Sequence, residues 1–170
     1  MKKKFEADRK IKVDTSDGRY TDNKRNRQQL TVTWKGNGKL KAVVIGINPS
    51  KANDDRSDRT LTLTARFLNM YGFTQFLMLN IFESYATNPK DIDLSSRTDF
   101  RKYQNELDEA DKIFIAWGIE HKYMEQKEEI LEVLKTYRDK LCCVENREGK
   151  KPLHPRRISY DYDLVRYEIT

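Results

Sequence analysis

Four short apolar runs, each closed by a small polar or aromatic signature, constrain this chain more than any other feature. They are Val43-Val44-Ile45-Gly46-Ile47-Asn48-Pro49-Ser50, Phe76-Leu77-Met78-Leu79-Asn80, Ile113-Phe114-Ile115-Ala116-Trp117-Gly118 and Leu153-His154-Pro155. Apolar runs without polar alternation belong to strands covered on both faces. In an open α/β sheet, ligands bind beyond the carboxyl ends of the parallel strands, so polar groups placed just after buried strands mark where a site should lie. The four signatures are therefore expected to build one pocket from four separate places.

The stretches between these runs support that frame. Residues 29–34 alternate as a half-buried strand does, and Gly36-Asn37-Gly38 is a turn leading into the buried strand 40–47. Residues 58–71 read as a helix with Leu61, Ala65 and Leu68 on one face and Gly72 as its stop. A strand over 75–79 follows, then a polar connection, a helix over 98–110 and a third buried strand over 112–116. Ile130, Val133, Leu134 and Tyr137 recur at helical spacing within 125–137, and 141–144 is the fourth buried strand. Strands alternating with helices predict a parallel sheet with right-handed crossovers. The expected fold class is α/β, a three-layer α/β/α sandwich around a central, mainly parallel four-stranded sheet.

At 170 residues the chain fits one domain that buries roughly two-thirds of its unfolded surface and needs no disulfide or metal staple. Residues 1–28 read as a basic N-terminal arm, loosely attached, and 29–170 as a single domain. The balance of 33 Lys and Arg against 27 Asp and Glu gives a net charge of +6, which favours phosphate backbones or acidic protein surfaces. Met1-Lys2-Lys3-Lys4, Arg9-Lys10 and Lys24-Arg25-Asn26-Arg27 read as a solvated, frayed terminus, whereas Arg156-Arg157 lies beside a candidate site residue. Cys142 and Cys143 stand inside an apolar run and read as reduced core residues, which suits a cytoplasmic protein. No stretch approaches the roughly 18 apolar residues of a membrane span, and the basic start is followed by charges rather than the apolar core of a signal peptide.

The order of the signatures carries a resemblance. Gly46-Ile47-Asn48-Pro49-Ser50 resembles the first active-site motif of the uracil-DNA glycosylase superfamily, which is G-Q-D-P-Y-H in the best-known branch and G-I-N-P-G in the mismatch-specific branch. Leu77-Met78-Leu79-Asn80 is similar to the L-L-L-N strand that presents a uracil-reading asparagine. Ile115-Ala116-Trp117-Gly118 resembles the L-W-G strand end, and His154-Pro155-Arg156-Arg157-Ile158-Ser159 resembles H-P-S-P-L-S. A closer likeness is to the domain-of-unknown-function 1643 family, with its N-P-S motif, acidic stretch and D-x-T. Asn48-Pro49-Ser50, Asp54-Asp55 and Asp58-Arg59-Thr60 fit that pattern. The resemblance covers about residues 30–160 and implies a uracil-DNA glycosylase-like fold.

The resemblance also implies roles. Base excision needs an extruded nucleotide, a pocket that reads its Watson–Crick edge, and groups that stabilise the departing base while water attacks the sugar. Asn48 would hold the water, Asn80 would read the base amide and His154 would donate to a base oxygen. Gly46, Ile47, Pro49, Ser50 and Trp117 would line the base pocket. Ile158 would be the apolar wedge, with Arg156, Arg157 and Ser159 contacting DNA or a partner.

The chain departs from the glycosylase pattern at several positions together. Asn48 stands where the best-known branch has an aspartate, which removes both a base and an anion that would stabilise a cationic sugar. Ser50 replaces the tyrosine that limits the pocket and Lys51 the following histidine. No aromatic residue lies between Asn48 and Phe67 to stack on a base, and Arg156 and Arg157 replace the small serine and second proline.

Simpler readings stand beside these. Asn48 before Pro49 also suits the end of a strand, Asn80 a buried amide, and Trp117 packing rather than stacking. His121, the other histidine, reads as solvated. Asp54, Asp55 and Asp58 read as a solvated loop with Asp58 capping the following helix rather than as a metal site. The sequence thus favours a monomeric glycosylase-like protein with a degenerate active site, a pseudo-glycosylase without cofactor or metal. Its basic face would bind DNA or an acidic DNA-mimicking inhibitor. The alternatives are an active DNA glycosylase of altered base specificity in base-excision repair, and a small-molecule enzyme acting on a nucleotide in the same crevice.

Overall fold

The computed structural model describes residues 11–55 and 57–170. The first residues of the basic arm, with Met1-Lys2-Lys3-Lys4 and Arg9-Lys10, lie outside them. The fold is α/β, built on one mixed sheet in the order β1-β2-β4-β3-β5-β6-β7. The strands are β1 (Val13–Thr21), β2 (Asn26–Trp34), β3 (Leu40–Gly46), β4 (Phe73–Asn80), β5 (Lys112–Ile115), β6 (Leu141–Glu145) and β7 (Asp163–Arg166). The helices are α1 (Arg59–Asn69), α2 (Gln104–Glu109) and α3 (Met124–Leu134).

The four runs expected as buried strands form the parallel centre of this sheet: β3 pairs in parallel with β4 and with β5, and β5 with β6. The expected four-stranded sheet is corrected to seven strands, because antiparallel strands border that centre on both sides. β2 pairs with β4, β1 with β2, and β7 with β6. Val13–Thr21, inside the span read as an arm, is β1. Its residues are alternately half-buried and exposed, as at a sheet edge, so it carries no apolar signal.

The apolar runs lack alternation because each face of the sheet has its own core. Ala42 and Val44 of β3 face one core with Leu61, Ala65 and Leu68 of α1. Val43 and Ile45 face the other with Phe100, Leu107, Ile130 and Leu134. Each fully buried Val, Leu, Ile or Phe among them contributes roughly 1.5–3 kcal/mol.

α1 begins where Asp58 accepts the Leu61 amide at 3.0 Å, and its last turn carries Arg66. Gly72, at φ 89°, reverses the chain into β4, and its carbonyl accepts the Leu40 amide at 3.0 Å. The helix expected over 98–110 is instead a 3₁₀ turn, Phe100–Tyr103, followed by the short α2, with Tyr103 leaving helical geometry at φ −106°, ψ 23°. α3 likewise stops at Leu134 and passes into a 3₁₀ segment, Lys135–Lys140.

Candidate functional site

The chain leaves β3 for β4 through α1 on one face, and β4 for β5 through α2 on the other. Successive connections thus run in opposite directions from β3, and such a switch point, at the carboxyl ends of β3 and β5, is where open α/β sheets take their ligands. The four sequence signatures all reach that edge. Gly46-Ile47-Asn48 ends β3, Asn80 ends β4 and Ala116-Trp117-Gly118 follows β5. His154 follows Leu153, whose amide donates to the Val144 carbonyl of β6 at 3.1 Å.

Gly46 and Asn80 are register partners on β3 and β4. A Cβ on Gly46 would lie 2.8 Å from Asn80 Oδ1, so the absence of a side chain makes room for the amide. Asn80 is buried at 2% exposure, and its Oδ1 has no hydrogen-bond partner. Leaving such an acceptor unpaired costs about 1–3 kcal/mol, so it marks a place where a donor is needed.

The β3 loop is fixed by short-range bonds. Asn48 Nδ2 donates to the Ala86 carbonyl at 2.9 Å and to its neighbour Pro49's carbonyl at 3.1 Å. This turns the amide so that Oδ1 is the atom left to accept. The Ile47 carbonyl accepts from the Phe82 amide at 2.9 Å, Pro49 is buried, and Ser50 Oγ donates to Asp58 Oδ2.

His154 is half-buried beside Gly118, which has φ 84°; a Cβ there would meet His154 Cβ at 3.6 Å. Burial pushes the imidazole pKa down, and the neighbouring Arg156 and Arg157 guanidinium groups push it further. His154 Nδ1 accepts the Arg156 amide at 3.2 Å, which assigns the neutral ring's proton to Nε2. The ring can therefore donate from Nε2 at neutral pH.

Other expected site residues fall elsewhere around the edge. The Trp117 ring lies in the core on the α3 side, edge-on to Tyr167 with centroids 6.3 Å apart and with Lys127 Nζ 5.8 Å from its centre. Ile158 is half-buried against the core on the α1 side. Arg156 and Arg157 are exposed in the 3₁₀ turn Pro155–Arg157, and neither has an ion-pair partner among the described residues. Ser159 Oγ donates to Asp161, which also pairs with Arg147.

The acidic loop is committed to structure. Asp54 Oδ1 accepts the Gly18 amide at 2.7 Å, the Asp54 amide donates to the Tyr20 hydroxyl at 3.1 Å, and Asp58 caps α1. Among the described residues no group of three or more His, Cys, Asp or Glu side chains is placed to hold a metal ion.

Two residues that the sequence left unmarked support the site. Arg27 is 1% exposed, and its Nη1 donates to the Ala52 carbonyl at 2.7 Å. Tyr85 donates to the same carbonyl at 3.2 Å, with its ring 5.9 Å from the guanidinium. Burial lowers the Arg27 pKa and raises that of Tyr85. Together they tie the segment after Asn48 to the chain after β4. Arg27 sits in a charged run that reads as solvent-facing, so only the tertiary contacts reveal it.

Fold and edge together define an α/β protein with polar residues gathered at the carboxyl ends of its parallel strands. The chain belongs to the family described as protein of unknown function (DUF1643), whose profile matches residues 27–156. No curated protein and no solved structure matches it. No helix among the described residues is long and apolar enough to cross a membrane.

Proposed function

We propose that the crevice accepts a nucleobase and that the chain is a glycosylase-like binding protein with a degenerate active site. The observation that carries this reading is the unpaired, buried Asn80 Oδ1 beside Gly46. It requires an N–H donor, which the imide edge of a uracil-like base supplies. His154 Nε2–H adds a donor at the same sheet edge for a base carbonyl. The resemblance to the uracil-DNA glycosylase superfamily at the four ordered signatures supports the same assignment.

Excision needs more than recognition. Asn48 can orient water but cannot take its proton, and its Nδ2 is already held by Ala86. The nearby Asp58 carboxylate is engaged by Ser50 and by the start of α1. The exposed Arg156 and Arg157 give the mouth a basic rim suited to phosphates, whether of DNA or of an acidic protein surface that imitates them.

The test pairs excision with binding. Purified protein and an Asn48→Ala/His154→Ala double variant are assayed on single-stranded and mispaired uracil oligonucleotides. The same oligonucleotides and an acidic glycosylase inhibitor are then titrated at low and moderate salt. The expected result is no excision, with binding that weakens with salt and with Arg157→Glu, and a uracil preference lost in Asn80→Ala. Excision that disappears in the double variant would replace this reading with an active glycosylase. Absence of binding to every probe would overturn the crevice assignment.

A further inference from the structure

On the sheet face opposite Asn80, a cavity of about 600 Å³ opens between the Phe100–Tyr103 turn and α3. Its volume lies within the range of small-molecule sites, roughly 300–1,000 Å³. The lining is mostly apolar, with Ile81, Phe100, Ile130 and Val133 among its walls. Ile81 is the residue after Asn80, yet its side chain belongs to the core on the α3 side, so the cavity is separate from the crevice.

The polar groups around the cavity fall into two kinds. The charged ones answer one another: Arg97 pairs with Glu129 at 3.0 Å and Glu125 at 3.7 Å, Arg101 with Asp99 at 3.0 Å, and Glu132 with Lys135. The Gln126 amide, set with Nε2 toward the Tyr123 carbonyl and Oε1 toward Arg97 Nη2, is satisfied at both atoms at 3.2 Å. Thr98 is the exception. It lines the cavity, is 8% exposed, donates its amide to the Ile81 carbonyl at 3.0 Å, and has a buried hydroxyl with no partner.

We infer that this cavity is a second binding site, for a neutral, largely apolar small molecule carrying one hydrogen-bonding group that pairs with the Thr98 hydroxyl. Rim charges that neutralise one another select against a charged ligand, since it would displace existing pairs. The apolar walls supply affinity by excluding water from an aromatic or aliphatic body. The Thr98 hydroxyl both donates and accepts, so an alcohol, phenol or amide can satisfy it.

Phenol and toluene test this directly, because they differ by one hydroxyl. Each is titrated into protein carrying labelled Ile and Val methyl groups, with binding read from Ile81, Ile130 and Val133. Saturable shifts at these methyls are expected, with phenol binding about three- to tenfold more tightly than toluene, as one buried neutral hydrogen bond contributes. Thr98→Val should abolish that preference while leaving toluene unchanged. This variant is nearly isosteric and deletes an unpartnered hydroxyl, so it should melt no lower than the parent. Val133→Trp should block both probes. The proposal is overturned if neither probe saturates these methyls, or if the phenol preference survives in Thr98→Val.

Discussion

Asn80 and Gly46 face each other across the β3–β4 ladder, and the amide oxygen of one lies 2.8 Å from the point where the side chain of the other would begin. The strand end holds its candidate base-reading group through the smallness of its neighbour.

Gly46→Ala tests that relationship. The added methyl would also meet Met78 Cε at 2.7 Å, so the ends of two buried side chains must shift together to admit it. A loss of about 1–3 kcal/mol is expected, as for overpacking in a close-packed interior. Urea denaturation measures it; an unchanged midpoint would show that the Asn80 amide moves aside without cost.

His154 should make stability depend on pH. Its folded pKa is depressed by burial, then by Arg156 and Arg157, so the unfolded chain binds the proton more readily. The stabilisation is complete above the ordinary value near 6.5 and is lost as pH falls through the lower, folded value. The urea midpoint should therefore drop between about pH 7.5 and about pH 5.5, and His154→Gln should flatten that drop. Nitrogen NMR at neutral pH should find the ring proton on Nε2.

Asp58 separates capping from charge. Asp58→Ala removes the acceptor for the Leu61 amide and should cost about 1 kcal/mol. Asp58→Asn retains an acceptor there and should recover most of that loss. Thermal melts of the two variants decide this, and equal destabilisation would mean that the carboxylate charge, rather than the cap, holds the start of α1.

Cys142 and Cys143 are buried in β6, and burial pushes both thiols up to about 12. Thiolates are the reactive species, so neither should react appreciably with a thiol reagent near pH 8 until the protein unfolds. Rapid labelling of the native protein would contradict their place in the cores.

The sequence disclosed the parallel centre of the fold because burial on both faces writes an unbroken apolar run, as in Val43-Val44-Ile45. The borders left no such mark. Val13–Thr21 and Asp163–Arg166 are edge strands with exposed charged residues, held by ladder bonds that any side chain permits. The same distinction runs through the site. Asn48, Asn80 and His154 were legible because each follows a buried run, whereas Arg27 lies in a charged tract and is buried only by partners 25 residues away and farther. The unpaired state of Asn80 Oδ1 was beyond sequence altogether, since it depends on which donors fail to reach it.

The antiparallel borders also bear on where this chain can be cut. The family match begins at residue 27 and ends at 156, so it excludes all of β1 and β7. A fragment trimmed to those limits would leave β2 and β6 with unanswered main-chain groups, each a template for a neighbouring molecule. The flanks outside the family match are thus the selvage of the sheet: they cover β2 and β6 and move its open edges out to strands that carry exposed charges.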